Sequence, residues 1–352
     1  MKKKINHILP ALVLTASLGL TTVSCNGFLD EMPDNRTELN TDQKIAKLLV
    51  SAYADVSPNE LFELYSDNSD DSGPTYGYYK LSEQECYHWQ DTKEEYQDTP
   101  NSLWGGYYSA IAAANMALNA IEEKGNPASL DPQRGEALVC RAYCHFMLAN
   151  IFCNAYDTHA SQSLGVPYME EVETTVSPRY ERGTLEEVYR KVERDLLEGI
   201  DLISDDSYSV PKYHFTRKAA YAFAARFYLY YMKPDFSNCD RVIDFATRVL
   251  GTNPADLLRN WEALGNLSVN GNVQADAYIA SSNEANLLIS STVSNWGAIG
   301  SDYLIGPRYF HNQTLATSET CLSSGLWGSS DYFYLKPFST NGFVASILRK
   351  SG

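Results

Sequence analysis

A chain of 352 residues that carries 44 Asp and Glu against 28 Lys and Arg, for a formal net charge of −16, repels polyanions. This balance disfavours binding to nucleic acids and peripheral attachment to anionic lipid headgroups, both held through Lys and Arg on phosphate, whereas neutral ligands stay open. The 44% hydrophobic content supplies a core for one large domain or two smaller ones, but the 25 tyrosines exceed what a core needs, and many stand in polar, turn-rich stretches.

Residues 1–24 have the pattern of a lipoprotein signal peptide. Lys2, Lys3 and Lys4 precede an apolar run from Ile5 to Leu20 that is interrupted by Asn6, His7, Pro10, Thr15, Ser17 and Gly19. That run is too short and too broken for a spanning helix, which needs about 20 predominantly apolar residues. The small Ser24 directly before Cys25 predicts cleavage there, which leaves Cys25 as an acylated N-terminus. Thr22 stands where Leu is usual, and the alternative is an ordinary secretory signal in which Cys25 plays no part. Loss of the leader removes three lysines and no carboxylate, so the mature charge becomes −19.

Residues 25–40 read as a tether. A first helix is predicted from Thr41 as cap, with Ile45, Leu48, Leu49, Ala52 and Val56 on one face and Pro58 closing it. Residues 66–103 lose helical periodicity and alternate acids, turn residues and rings, which predicts a long ordered loop of the kind that carries function. Helical signals then follow in series. Trp104, Tyr107, Tyr108, Ile111, Asn115, Leu118 and Ile121 mark one face, ended by Gly125 and Pro127. A second helix over about 132–152 turns Ala137, Cys140, Cys144, Leu148 and Ile151 inward. A third opens with a capping box, Thr184 with Glu187, and runs through Val188, Tyr189, Val192, Leu196 and Ile200, with Asp195 just off the stripe. A fourth, about 216–232, is rich in Ala, and a fifth ends at Gly251. Residues 251–352 turn to Asn, Ser and Gly with scattered rings, which predicts irregular structure with a few short strands. Paired helices with bulky and small residues at matched places predict an irregular, tetratricopeptide-like α-solenoid, mainly α, over 41–250.

Chemistry-bearing motifs are few. The sequence has no Gly-x-Ser-x-Gly elbow, phosphate loop, dinucleotide fingerprint or His-Glu-x-x-His helix, so no catalytic residue and no cofactor is assigned. Cys140 and Cys144 lie one turn apart on an apolar face, as buried thiols do, and His145 is read as pointing off that stripe; no metal site is assigned. The run from Asp67 to Gly73 resembles a calcium loop but has Ser69 and Tyr78 where acidic or amide ligands are required, so a solvated acidic turn is expected.

The aromatic loops are the better lead. A sugar offers an apolar C–H face ringed by hydroxyls, so its site needs flat rings together with Asn, Asp, Arg or Gln. Tyr76, Tyr78, Tyr79 and Trp89, with Asp67, Asn68 and Asp91 nearby, supply both kinds; Trp296 beside Asn295, and Trp327, supply more. The competing reading of each ring is packing.

Several segments, in order, resemble the SusD/RagB family of Bacteroidetes nutrient-binding outer-membrane lipoproteins. They are Cys25 with Phe28-Leu29-Asp30 and Pro33; Trp104 with Tyr108, Ile111, Asn115 and Leu118; and Glu136-Ala137 with Arg141-Ala142, Phe146, Leu148 and Phe152. Val166-Pro167-Tyr168, Arg182-Gly183-Thr184 with Val188-Tyr189 and Asp195-Leu196, and Ala219-Ala220 with Ala224-Ala225-Arg226 and Tyr228-Leu229 complete the run.

The resemblance covers about residues 25–250. It implies a helical scaffold tethered through Cys25 to outer-membrane lipid, facing the cell exterior, that hands oligosaccharides, or in some members peptides, to a SusC-type TonB-dependent transporter. It also implies ligand rings in the loop before the Trp104 helix and in the loop-rich C-terminal part, where this chain holds Tyr78, Tyr79 and Trp89, and Trp296 and Trp327. A surface enzyme acting on the same glycans is the remaining alternative. Family chains are usually longer, so the resemblance implies a shortened C-terminal part.

Overall fold

The computed structural model describes residues 39–75, 80–175, 178–268, 273–294, 308–310 and 315. Cys25, Tyr76, Tyr78, Tyr79, Trp296 and Trp327 lie outside the described residues. From Asn40 onward the described residues form one compact unit, and it is mainly helical.

The first helix, α1 (Asp42–Leu48), starts where Thr41 accepts from the Lys44 amide and passes into a 3-10 turn, Leu49–Ala52. Val56 is not on this helix but bridges to Val293. Residues 66–103, expected as an ordered loop, hold regular elements as well. Helix α2 (Asn59–Leu64) precedes them, and within them lie a two-residue strand β1 (Asp70–Asp71) and a helix α3 (Leu81–Tyr87). Because α3 spans only seven residues and buries Ser82, Glu83 and Glu85 alongside Cys86, it presents no apolar stripe to a periodicity search.

Three long helices form the scaffold: α4 (Pro100–Glu123), α5 (Asp131–Phe152) and α6 (Leu185–Leu202), with α4 on α5 and α5 on α6. Helix α6 begins with the expected capping box: Thr184 Oγ1 accepts from the Glu187 amide at 3.2 Å, and Glu187 accepts the Thr184 amide at 2.9 Å. A further pair, α7 (Arg217–Tyr230) on α8 (Cys239–Leu250), continues the stack, with Gly251 at φ +65° as its end. Phe146, Tyr189, Phe223 and Phe227 join α5, α6 and α7 through ring pairs 5.5 to 6.3 Å apart. Past Gly251 the described residues hold two short helices, α9 (Trp261–Gly265) and α10 (Val273–Ile279), and a two-residue strand β2 (Tyr309–Phe310).

Helices α5 and α6 cross at two glycines. A Cβ on Gly135 would stand 2.7 Å from the Gly199 carbonyl, and one on Gly199 would stand 2.7 Å from the Gly135 carbonyl, so only glycine lets the backbones meet.

Next to that crossing, the residues that carried the family resemblance meet in a buried polar knot. Arg141 Nε donates to Asp195 Oδ2 at 2.6 Å and its Nη1 to Asn115 Oδ1 at 3.0 Å, while Tyr168 donates to Asp195 at 2.7 Å. Asn115 donates to the carbonyls of Met169 and Glu171, which pins the segment after Pro167 across α4 and α5. Asp195, expected just off the buried stripe, is only 1% exposed. His145 is likewise inside, not off the stripe: its Nε2 accepts the Met169 amide at 2.9 Å and its Nδ1 donates to the Arg141 carbonyl at 2.9 Å. Burial pushes its imidazole down to about 3, so it is neutral. Trp104, the first residue of the predicted helix face, is half-buried against Tyr108 and Phe152.

Candidate functional site

The Trp89 backbone is set by the end of α3. The Trp89 amide donates to the Cys86 carbonyl at 2.9 Å and the Gln90 amide to the Glu85 carbonyl at 2.7 Å, the two bonds of a Schellman motif, which places Trp89 at φ +56°. Glycine normally takes that place, and a bulky residue there costs about 1–3 kcal/mol. The indole gains little burial in return, for it is 72% exposed. One face lies on the Tyr65 ring, centroids 4.4 Å apart and planes 14° from parallel; Tyr65 itself caps the C-terminus of α2. Burial, with Cys86 beside it, pushes the Tyr65 phenol up to about 12, so it stays neutral. Exposed Asp67, Asn68, His88, Gln90 and Asp91 lie close to the two rings in sequence.

Near the two rings in sequence, α2 and α3 each bury an acid, Glu60 and Glu83. Glu60, Glu83 and Asp98 are each 3–4% exposed, and Asp98 also has a left-handed backbone, φ +68°. Lys80 Nζ stands 3.7 Å from Glu83 and 3.9 Å over the Tyr96 ring. Burial pushes Glu60 up to about 8, opposed by Lys80 and reinforced by Glu83 and by a hydrogen bond to Asp98, so at neutral pH Glu60 is an acid that donates to Asp98. These carboxyls are roofed over and do not face a bound ligand. Among the described residues, no group of three His, Cys, Asp or Glu side chains is placed to hold a metal ion.

The C-terminal part reaches the same place. Strand β2 pairs antiparallel with β1, Asp71 opposite Tyr309, and Arg308 grips the Asp71 carboxylate with Nε at 2.6 Å and Nη2 at 2.7 Å. The Arg308 guanidinium holds Asp71 below the usual carboxylate range. The acidic run read as a solvated turn is therefore a docking strip for residues 308–310. Tyr309, 1% exposed, packs 4.7 Å from Tyr87, two residues before Trp89.

Of the sequence-predicted ligand rings, Trp89 is thus described and exposed; Tyr78, Tyr79, Trp296 and Trp327 lie outside the described residues. Sequence reasoning missed Tyr65, whose only signal is its place at the end of a short helix. A second ring group, Trp261 and Tyr278 about Arg259, is also partly exposed, with the guanidinium 3.7 Å over Tyr278. The five described cysteines, Cys86, Cys140, Cys144, Cys153 and Cys239, are free thiols.

Residues 27–229 match the SusD-like family described as starch-binding and associating with the outer membrane. The chain belongs to the SusD-like family. Among solved structures it is similar to a SusD superfamily protein from Bacteroides vulgatus, with 20% identity, TM-score 0.55, and coverage of 82% of this chain and 63% of that one. It is also similar to one from Bacteroides thetaiotaomicron, with 20% identity, TM-score 0.50, and coverage of 63% and 48%. A third, from Bacteroides fragilis, shows 18% identity, TM-score 0.50, and coverage of 65% and 53%. These likenesses establish the SusD-like helical fold. The chain spans about half to three fifths of the length of these structures. No curated protein matches. No helix among the described residues is long and apolar enough to cross a membrane.

Proposed function

We propose that this SusD-like protein is a surface glycan-binding lipoprotein, anchored to the outer membrane through acylated Cys25, that captures oligosaccharides for delivery to a SusC-type TonB-dependent transporter. The observation that carries the reading is Trp89: an exposed indole held at a backbone angle that disfavours it, backed by a second flat ring and flanked by polar side chains. A core residue gains burial in exchange for strain; this one gains an open aromatic face, which is what stacks on the C–H face of a sugar. Tyr78, Tyr79, Trp296 and Trp327 are proposed as further ligand rings of the same protein. The family's association with starch and with the outer membrane supports both halves of the proposal.

Titration calorimetry with maltoheptaose, followed by a panel of plant and host oligosaccharides, tests it. Binding with no change in chain length supports capture; shortened products point to a surface enzyme, and retention of peptides without sugar points to a peptide-binding member. Mass spectrometry of the native protein tests the anchor, and an unmodified peptide spanning Ser24 and Cys25 in the soluble fraction refutes it.

A further inference from the structure

Beside the start of α7 and the end of α8 lies an open cleft of about 560 Å³, remote in sequence from Trp89. Its volume lies in the range of small-molecule sites. Arg217, Lys218 and Arg248 line it together with one carboxylate, Asp205, and Tyr221 and Leu250 supply an apolar wall. The chain carries a net charge of −16, yet three cations line this cleft against one carboxylate.

The partners of these charges decide what the cleft attracts. Asp205 is occupied by a backbone group, accepting the Arg217 amide at 2.8 Å, and the Arg217 guanidinium donates to the neutral Ile203 carbonyl at 2.5 Å. Arg248 alone has a carboxylate, Asp244, at 3.0 Å, and it lies over the Tyr221 ring at 5.4 Å. Among the described residues neither the Arg217 guanidinium nor Lys218 forms an ion pair. The dipoles do not decide the sign, because the positive start of α7 and the negative end of α8 oppose each other at this place. At physiological salt the screening length is about 8 Å, so a ligand in the cleft feels these cations and little of the distant acidic surface.

We propose that this cleft binds the carboxylate of an acidic saccharide. The cations take the oxyanion, as guanidinium and ammonium groups do, and the Tyr221 and Leu250 wall takes the apolar face of the ring that bears it. A bare inorganic anion has no use for that wall, and a long polyanion meets the acidic remainder of the surface. The choice of a saccharide rests on the glycan-binding function proposed above; the anion site itself does not.

Trigalacturonate, galacturonate, sodium sulfate and neutral maltoheptaose, each titrated by calorimetry at low ionic strength into the full chain, form the test. Trigalacturonate should bind, weaken as salt is added, and lose at least tenfold in affinity in Lys218→Gln and again in Arg248→Gln, while the affinity of both variants for maltoheptaose stays at the wild-type value. Lys218→Gln touches no hydrogen bond of the fold, and circular dichroism verifies that both variants are folded. Absence of uronate binding, unchanged affinity in Lys218→Gln, or sulfate binding as tight as trigalacturonate overturns the proposal. Maltoheptaose reports separately on the Trp89 platform, so failure of that platform and failure of the cleft are distinguishable.

Discussion

The indole of Trp89 lies flat on the ring of Tyr65, centroids 4.4 Å apart, although the two residues end different short helices, α3 and α2. The stack fixes the orientation of a side chain that is 72% exposed. On the proposed function the ring is preorganised, so a sugar stacking on it would not have to order it first.

This arrangement separates ring from backbone in one substitution. Trp89→Gly keeps the left-handed position without strain, a gain of about 1–3 kcal/mol that offsets the lost stack, worth about 0.5–1.5 kcal/mol, and the flexibility glycine adds to the unfolded chain, about 1 kcal/mol. Stability by urea denaturation should therefore stay within about 1 kcal/mol of wild type, while affinity for the cognate oligosaccharide falls about tenfold or more. Unchanged affinity in a folded Trp89→Gly protein places the ligand elsewhere.

The scaffold was legible because its signals are long and local. Thr184 with Glu187, the stripe from Trp104 to Ile121 and Gly251 each announce an element through caps or a 3.6-residue period. Helix α3 was not legible, since its buried face is Glu83 and Glu85 as well as Cys86, and acids read as surface. His145 and Asp195 were misplaced for the same reason: polar residues are buried here because they satisfy one another across three helices, a pairing that no single segment displays. Of the candidate site, Trp89 was visible as a ring in a polar stretch. Tyr65 was hidden because its role depends on a contact 24 positions away.

The paired glycines set a sharp stability test. Gly199→Ala gains about 1 kcal/mol of helix propensity but drives a methyl to 2.7 Å from the Gly135 carbonyl and to 2.7 Å from Val139 Cγ2. Overpacking of this kind costs about 1–3 kcal/mol, and because one obstacle is backbone on a buried helix it has little room to yield. Net destabilisation of about 1–2 kcal/mol is expected from urea midpoints, against stabilisation if propensity prevailed.

Asp195 holds the polar knot together. Removing it in Asp195→Ala leaves the Arg141 guanidinium, 6% exposed, without its carboxylate, which should cost about 3–5 kcal/mol. The half-exposed pair of Arg134 with Glu198 is the control, where Arg134→Ala should cost no more than about 1 kcal/mol. Similar losses at both sites, measured by urea denaturation, refute the view that burial sets the difference.

Two buried groups give stability a pH profile with opposing slopes. His145 is held near 3 in the fold and titrates near 6.5 unfolded, so the unfolded chain binds the extra proton between those values and stability falls as pH drops below about 6.5. Glu60 is held near 8 and titrates near 4.5 unfolded, so the folded chain binds the extra proton there and stability falls as pH rises from about 4.5 to 8; Glu83, also raised by burial, acts in the same direction. Each single group contributes at most about 1.4 kcal/mol per pH unit. Between about 4.5 and 6.5 the two largely cancel, and above 6.5 only the carboxyls remain. Wild type should therefore be nearly flat from pH 5 to 6.5 and lose stability toward pH 8. Depressed carboxylates such as Asp195 do not disturb this window, because their contribution is lost only below about pH 4. His145→Gln, which keeps an acceptor for the Met169 amide, should instead gain stability steadily as pH falls from 8 to 5. Glu60→Gln should be flatter than wild type above 6.5 and lose stability as pH falls from 6.5 to 5. Urea midpoints of the three proteins across pH 5 to 8 decide the matter; parallel curves would mean that neither group is held in the protonation state its burial imposes.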